Sequence, residues 1–136
     1  MKTVQFAARF EYLDAMREFV GNIARKGGFS EKDVYNIQLA TDEAASNIIE
    51  HAYQNMPGKI LDLSCGMQGG VITIVLTDYG ESFDPSEVPV PDLKADLSDR
   101  KIGGLGIFLM RKLMDEIQYK PGPNQSNVLT MTKRKR

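Results

Sequence analysis

Three short segments constrain this chain more than anything else in it. They are Glu43, Asn47 and His51 along one helical stripe, Asp78-Tyr79-Gly80 after an apolar run, and Gly103-Gly104-Leu105-Gly106. If they share one cavity, a helix, a strand end and a glycine-rich helix start must converge. In that order they offer an acid that can handle protons, a carboxylate that can read a base, and backbone N–H groups that can hold phosphates. The combination points to a pocket for a nucleotide and its metal.

The elements around these segments follow from periodicity. Thr3 to Phe10 reads as a first strand. Leu13, Met16, Phe19, Val20 and Ile23 recur at helical spacing, predicting a helix over Glu11 to Lys26 that Gly27-Gly28 ends with a left-handed cap. Ser30 with Asp33 three residues on is an N-cap signal, opening a second helix that reaches about Gln54. After the turn Asn55-Met56-Pro57-Gly58, strands over Lys59 to Met67 and Val71 to Thr77 join in a hairpin at Gln68-Gly69-Gly70. Glu81 to Lys101 holds three of the six prolines and many acids, with no sustained period. It reads as a long functional loop. A third, largely apolar helix is predicted from about Gly104 to Glu116, then strands near Ile117 to Lys120 and Asn127 to Thr132. Without regular βαβ alternation, this order argues for an α+β fold, a two-layer α/β sandwich whose mixed sheet is covered on one face by three helices.

Composition matters mainly for what it excludes. The 136 residues are one domain's worth, expected to span 1–136 as a single unit. A net charge of -1 gives no general attraction to nucleic acid or anionic lipid. One cysteine, Cys65, cannot form an internal disulfide, and no apolar run resembles a signal peptide or membrane span, so a cytoplasmic protein is expected. The basic tail Lys133-Arg134-Lys135-Arg136 reads as a solvated chain end. One histidine and one cysteine make no transition-metal site.

On the second helix, Val34, Ile37, Thr41, Ala44, Ala45, Ile48 and Ala52 fall on one face, which packs on the sheet. Glu43, Asn47 and Glu50 cluster roughly opposite, beside Asn36 and Ala40, with His51 at the border. A carboxylate and an amide at i and i+4 are surface neighbours: one can deprotonate a hydroxyl, the other can ligate a hard cation such as Mg²⁺. An ordinary solvated polar face fits the same pattern. Asp78 at the end of an apolar strand needs a donor, which an adenine amino group supplies, with Gly80 letting the ring lie close. An acid and glycine opening a turn is the plain alternative. Gly103-Gly104-Leu105-Gly106 suits phosphates at a helix start or, equally, a tight loop-to-helix entry. It is neither a Walker loop nor a Rossmann fingerprint.

Together these residues resemble the GHKL, or Bergerat-fold, ATP-binding family, and more closely the small bacterial anti-sigma-factor serine/threonine kinases. Glu43-Ala44-Ala45-Ser46-Asn47-Ile48-Ile49-Glu50-His51-Ala52-Tyr53 is similar to their N-box. Asp78-Tyr79-Gly80-Glu81-Ser82-Phe83-Asp84-Pro85 resembles the first glycine box, and Gly103-Gly104-Leu105-Gly106-Ile107 the second. Ser82 stands where the broad family usually has a second glycine, and no arginine directly abuts Gly103.

The resemblance implies ATP and Mg²⁺ as cofactors. Glu43 is then the general base, Asn47 the Mg²⁺ holder and Asp78 the adenine acceptor with Gly80 beside the ring. Gly104, Leu105 and Gly106 contact phosphates. Residues 81–101 form the ATP lid, where Arg100 or Lys101 supplies positive charge. It also implies a partner serine on a STAS-domain antagonist, a sigma factor as second partner, and a homodimer, with no direct nucleic-acid or membrane binding. An ATP-gated binding switch of the same fold, with little phosphotransfer, is the alternative. A histidine-kinase catalytic domain is a weaker one, because His51 lies inside the pocket helix.

Overall fold

The computed structural model describes residues 1–80 and 104–136, the side chains of 104–107 excepted. The segment expected to form the lid, with Arg100, Lys101 and Gly103, lies outside the described residues. Five strands form one sheet: β1 (Lys2–Ala7), β2 (Ile60–Gln68), β3 (Val71–Asp78), β4 (Glu116–Pro121) and β5 (Asn127–Arg134), in the order β1-β2-β3-β5-β4. Three helices accompany it: α1 (Leu13–Lys26), α2 (Glu31–Asn47) and α3 (Gly104–Leu113).

Period-2 alternation decides which face is covered. Leu61, Leu63 and Cys65 of β2, Ile72, Ile74 and Leu76 of β3, and Leu129 and Met131 of β5 are all buried. Register sets Leu63, Leu76 and Leu129 in one cross-strand row and Cys65, Ile74 and Met131 in the next. Met16, Val20 and Ala24 of α1, Val34, Ile37, Ala44 and Ala45 of α2, and Met110 of α3 complete the same core. The β2–β3 hairpin turns through Gly69 and Gly70, whose φ of 59° and 76° suit glycine.

The expectation of a mixed sheet needs correction, since every hydrogen-bonded strand pair among the described residues is antiparallel. β3 and β4 do run in the same direction, as strands on either side of a helix often do. The reason they form no parallel ladder is that β5 returns between them and pairs with both.

Helix boundaries shift where tertiary contacts intervene. β1 stops at Ala7, a 3-10 turn occupies Phe10–Tyr12, and α1 begins only at Leu13. Gly28 alone takes the left-handed cap, with φ +91°, while Gly27 stays helical at φ -77°. Ser30 caps α2 as expected, its side chain accepting from Asp33 N at 3.2 Å. α2 then widens into a π-turn over Ile48–Ala52, closed by Tyr53 N donating to Ile48 O at 2.9 Å. α3 ends at Leu113 rather than near Glu116. Lys133 Nζ donates to Leu113 O at 2.7 Å, and Asp115 N donates to Thr132 O at 2.8 Å, turning the chain into β4.

The basic tail is exposed over Arg134 to Arg136, as expected of a solvated end, but it is tied down. Lys133 and Arg134 belong to β5. Asp115 Oδ2 accepts from Arg134 N at 2.7 Å, and its Oδ1 pairs with Arg136 Nη2 at 3.0 Å. The Arg134 amide, then the Arg136 guanidinium, hold the Asp115 carboxyl below its usual range. Among the described residues, no helix is long and apolar enough to cross a membrane.

Candidate functional site

The polar stripe of α2 is less open than its sequence spacing predicts. Ala40 and Asn47 are buried, along with Thr41, Ala44 and Ala45. The helix is enclosed on several sides because α1 and α3 both pack against it as well as the sheet. Glu43 is half-buried and Glu50 exposed. Burial, then the charges of Asp42 and Glu50, raise the Glu43 pKa. Its carboxylate is thereby a better proton acceptor than a solvated one. Asp42 is itself paired with Arg17 of α1, Oδ1 to Nη1 at 2.6 Å. His51 lies partly buried at the π-turn, with Nε2 3.7 Å from Glu50 Oε2.

Asp78 ends β3 at only 4% exposure. Its Oδ1 accepts from Gly80 N at 2.9 Å and from Asn127 Nδ2 at 3.0 Å. Asn127 Nδ2 also donates to Gly80 O at 3.0 Å. Desolvation nevertheless wins, and the Asp78 pKa lies above its ordinary value despite these bonds. Both bonds that the described residues make to this carboxylate fall on Oδ1, leaving Oδ2 for another donor.

Gly80 has a different local reason from the one its sequence position suggests. A Cβ there would stand 2.4 Å from Ala52 O and 2.8 Å from Tyr53 Cδ1. The missing side chain thus admits the π-turn against the strand end. Its φ is not among the positive values, so space rather than backbone conformation demands glycine. Gly80→Ala should destabilise the fold by about 1–3 kcal/mol. Urea unfolding would show this as a lower midpoint at unchanged slope, and an unchanged midpoint would refute it.

Two contributors escaped the sequence reading. Tyr53, buried at 3% exposure, accepts from Tyr79 N at 2.8 Å and donates from its hydroxyl to Ile60 O at 2.6 Å. Burial, its largest influence, raises the Tyr53 pKa and keeps that hydroxyl protonated. Asn127 meets Asp78 because β5 lies beside β3. A buried tyrosine needs a polar partner, but nothing local says which.

These contacts hold Asp78 at the C-terminal end of the helical segment that carries Glu43 and Asn47. Asn47 precedes Ala52 by about 7 Å along the helix axis and Glu43 by about 13 Å, at about 1.5 Å per residue. Gly104, Leu105 and Gly106 form the first turn of α3, where unpaired N–H groups and the helix dipole favour anions.

The residues present fit a nucleotide that brings its own metal. Asp78 offers an acceptor to an exocyclic amine. Asn47 Nδ2 is buried with no hydrogen-bond partner among the described residues. An amide's nitrogen and oxygen exchange places by a simple flip, which would turn the oxygen toward a hard cation. No group of three acids, histidines or cysteines that could hold a metal occurs among the described residues. Mg²⁺ is commonly held by one or two protein oxygens together with substrate phosphates.

The sequence pattern of the histidine kinase-like ATPase domain matches residues 6–133. The chain belongs to that family. It is an ATP-binding domain of the kinase type. Among relatives, it is 35% identical over 131 residues to the serine-protein kinase RsbW of Halalkalibacterium halodurans, covering 93% of this chain and 78% of that protein. It is 29% identical over 132 residues to the serine-protein kinase RsbW of Listeria monocytogenes, covering 94% of this chain and 84% of the relative.

Solved structures agree on the fold. A structure of the RsbU and RsbW domains of Rv1364c from Mycobacterium tuberculosis superposes with a TM-score of 0.63 at 16% identity, over 99% of this chain and 33% of that longer one. The catalytic domain of the histidine kinase ThkA gives 0.56 at 13% identity, over 99% of this chain and 98% of that one.

Proposed function

We propose that this chain transfers the γ-phosphoryl group of ATP to a serine or threonine hydroxyl on a STAS-domain antagonist, and that it sequesters a sigma factor. The chain is a protein serine/threonine kinase of the anti-sigma-factor type. The observation that carries this reading is the buried Asp78 carboxylate, held by Gly80 N and Asn127, in a turn that Tyr79 N ties to Tyr53 at the end of the helical segment bearing Glu43 and Asn47. A base reader, a cation-binding amide and a proton acceptor are the groups that a bound nucleoside triphosphate calls for.

Asp78 accepts a hydrogen bond from the adenine amino group. Asn47 turns its amide oxygen to Mg²⁺, which when bound offsets phosphate charge. The first turn of α3, from Gly104 through Gly106, directs N–H groups at the phosphates. Glu43 orients the partner's hydroxyl and takes its proton as the oxygen bonds to the γ-phosphorus, while the bond from that phosphorus to its bridging oxygen breaks and ADP leaves.

Unphosphorylated antagonist frees the sigma factor, and phosphorylation returns the sigma factor to the kinase. The protein works in the cytoplasm as a homodimer, with residues 1–136 acting as one kinase domain.

Incubating the chain with radiolabelled ATP, Mg²⁺ and STAS-domain proteins encoded beside it tests the assignment. Label on serine or threonine of one such protein is expected, and its loss on adding a chelator. Absence of label on every neighbouring STAS protein would overturn it.

A further inference from the structure

We propose that Tyr53 is a positioning residue that sets where the Asp78 carboxylate meets the base, an inference resting on the reading of Asp78 as the adenine acceptor. The Asp78-Tyr79-Gly80 turn is braced internally and against β5 by the bonds from Gly80 N and Asn127 Nδ2. Those bonds do not fix it relative to the pocket helix.

Two contacts do. Gly80 abuts Ala52 O, a steric stop that limits approach without setting direction. The Tyr53 hydroxyl accepts from Tyr79 N at 2.8 Å, and that bond is directional. Tyr79 N–H shares a rigid peptide plane with the Asp78 carbonyl, so holding the amide restrains ψ of Asp78 and the backbone from which the carboxylate projects.

The hydroxyl is itself held, because its proton goes to Ile60 O at the start of β2, 2.6 Å away. A single side chain at 3% exposure therefore joins the end of α2's π-turn, the start of β2 and the end of β3. Tyr53→Phe keeps the ring that packs beside Gly80 and deletes only the oxygen.

The test measures binding of two nucleotides by calorimetry, to the natural chain and to Tyr53→Phe. One is ATP. The other is purine riboside triphosphate, which lacks only the 6-amino group that Asp78 reads. The natural chain should prefer ATP. In Tyr53→Phe, ATP affinity should fall about fivefold to tenfold while the analogue stays within about twofold, the loss expected for one misaligned hydrogen bond to a charged acceptor. Equal weakening of both nucleotides would mark a merely structural tyrosine and overturn the proposal, as would an undiminished ATP preference. No preference in the natural chain would instead refute the base reading on which the proposal rests. Hydrogen exchange at the Tyr79 amide of the natural chain gives a check that needs no variant. Protection supports the bond, and exchange at the rate of an open loop overturns it.

Discussion

Glu43→Gln should lower phosphotransfer by about 100- to 10,000-fold while leaving ATP affinity nearly unchanged, the span expected when a general base is removed. The amide is isosteric with the carboxylate and keeps hydrogen-bonding capacity, but it cannot accept the hydroxyl proton. It also removes one of the like charges near Asp42 and Glu50, the neighbours that help raise the Glu43 pKa. The fold should therefore be no less stable at neutral pH. Single-turnover phosphorylation of the antagonist, alongside ATP calorimetry, separates the two effects. The same variant decides between catalysis and a pure binding switch. If sigma-factor release and recapture continue normally in Glu43→Gln, the chemistry is dispensable and the kinase assignment falls.

Asp78→Asn should weaken ATP binding by about 2–3 kcal/mol, or roughly 30- to 150-fold, the cost of losing a hydrogen bond to a charged acceptor. An amide oxygen at the Oδ1 position still accepts from Gly80 N and Asn127 Nδ2, so the framework bonds survive. What changes is the Oδ2 position: on the proposed reading an NH₂ group would meet the adenine amine, donor against donor.

The same substitution exposes a pH signature. The folded pKa of Asp78 is raised above 3.8, chiefly by desolvation, so in the window just above that value the folded chain binds more protons than the unfolded one. Stability contributed by this group is then fully present below the unfolded pKa and declines as pH rises through the folded pKa. The melting temperature of Asp78→Asn relative to the natural chain should accordingly climb as pH rises from about 4. ATP affinity of the natural chain should strengthen over the same window, because the ionised carboxylate is the better acceptor. A pH-independent difference in melting temperature, with ATP affinity unaltered by the substitution, would remove Asp78 from the site.

Local chemistry was legible in the sequence wherever the physical cause is local. The Ser30 cap, the left-handed turn after α1, the glycines of the β2–β3 hairpin and the apolar stripe of α2 all follow from neighbours within a few residues. The three candidate segments belong to the same class, since each announces itself by residue type and spacing. Strand order does not. That β5 inserts between β3 and β4, making every described pair antiparallel, depends on pairings more than 40 residues apart, such as Asp78 with Asn127.

Burial of Asn47 and Ala40 depends likewise on α1 and α3 enclosing α2, which helical periodicity alone leaves open. Sequence by itself determined which residues were candidates for binding a nucleotide. Tertiary structure alone decided how they are held: Asp78 through Asn127, Gly80 beside the Ala52 carbonyl, and the ends of the π-turn and β3 through the Tyr53 hydroxyl. The physical reason is that propensity and periodicity act over a turn or two of chain, whereas a buried polar group must find its partner wherever the fold brings one.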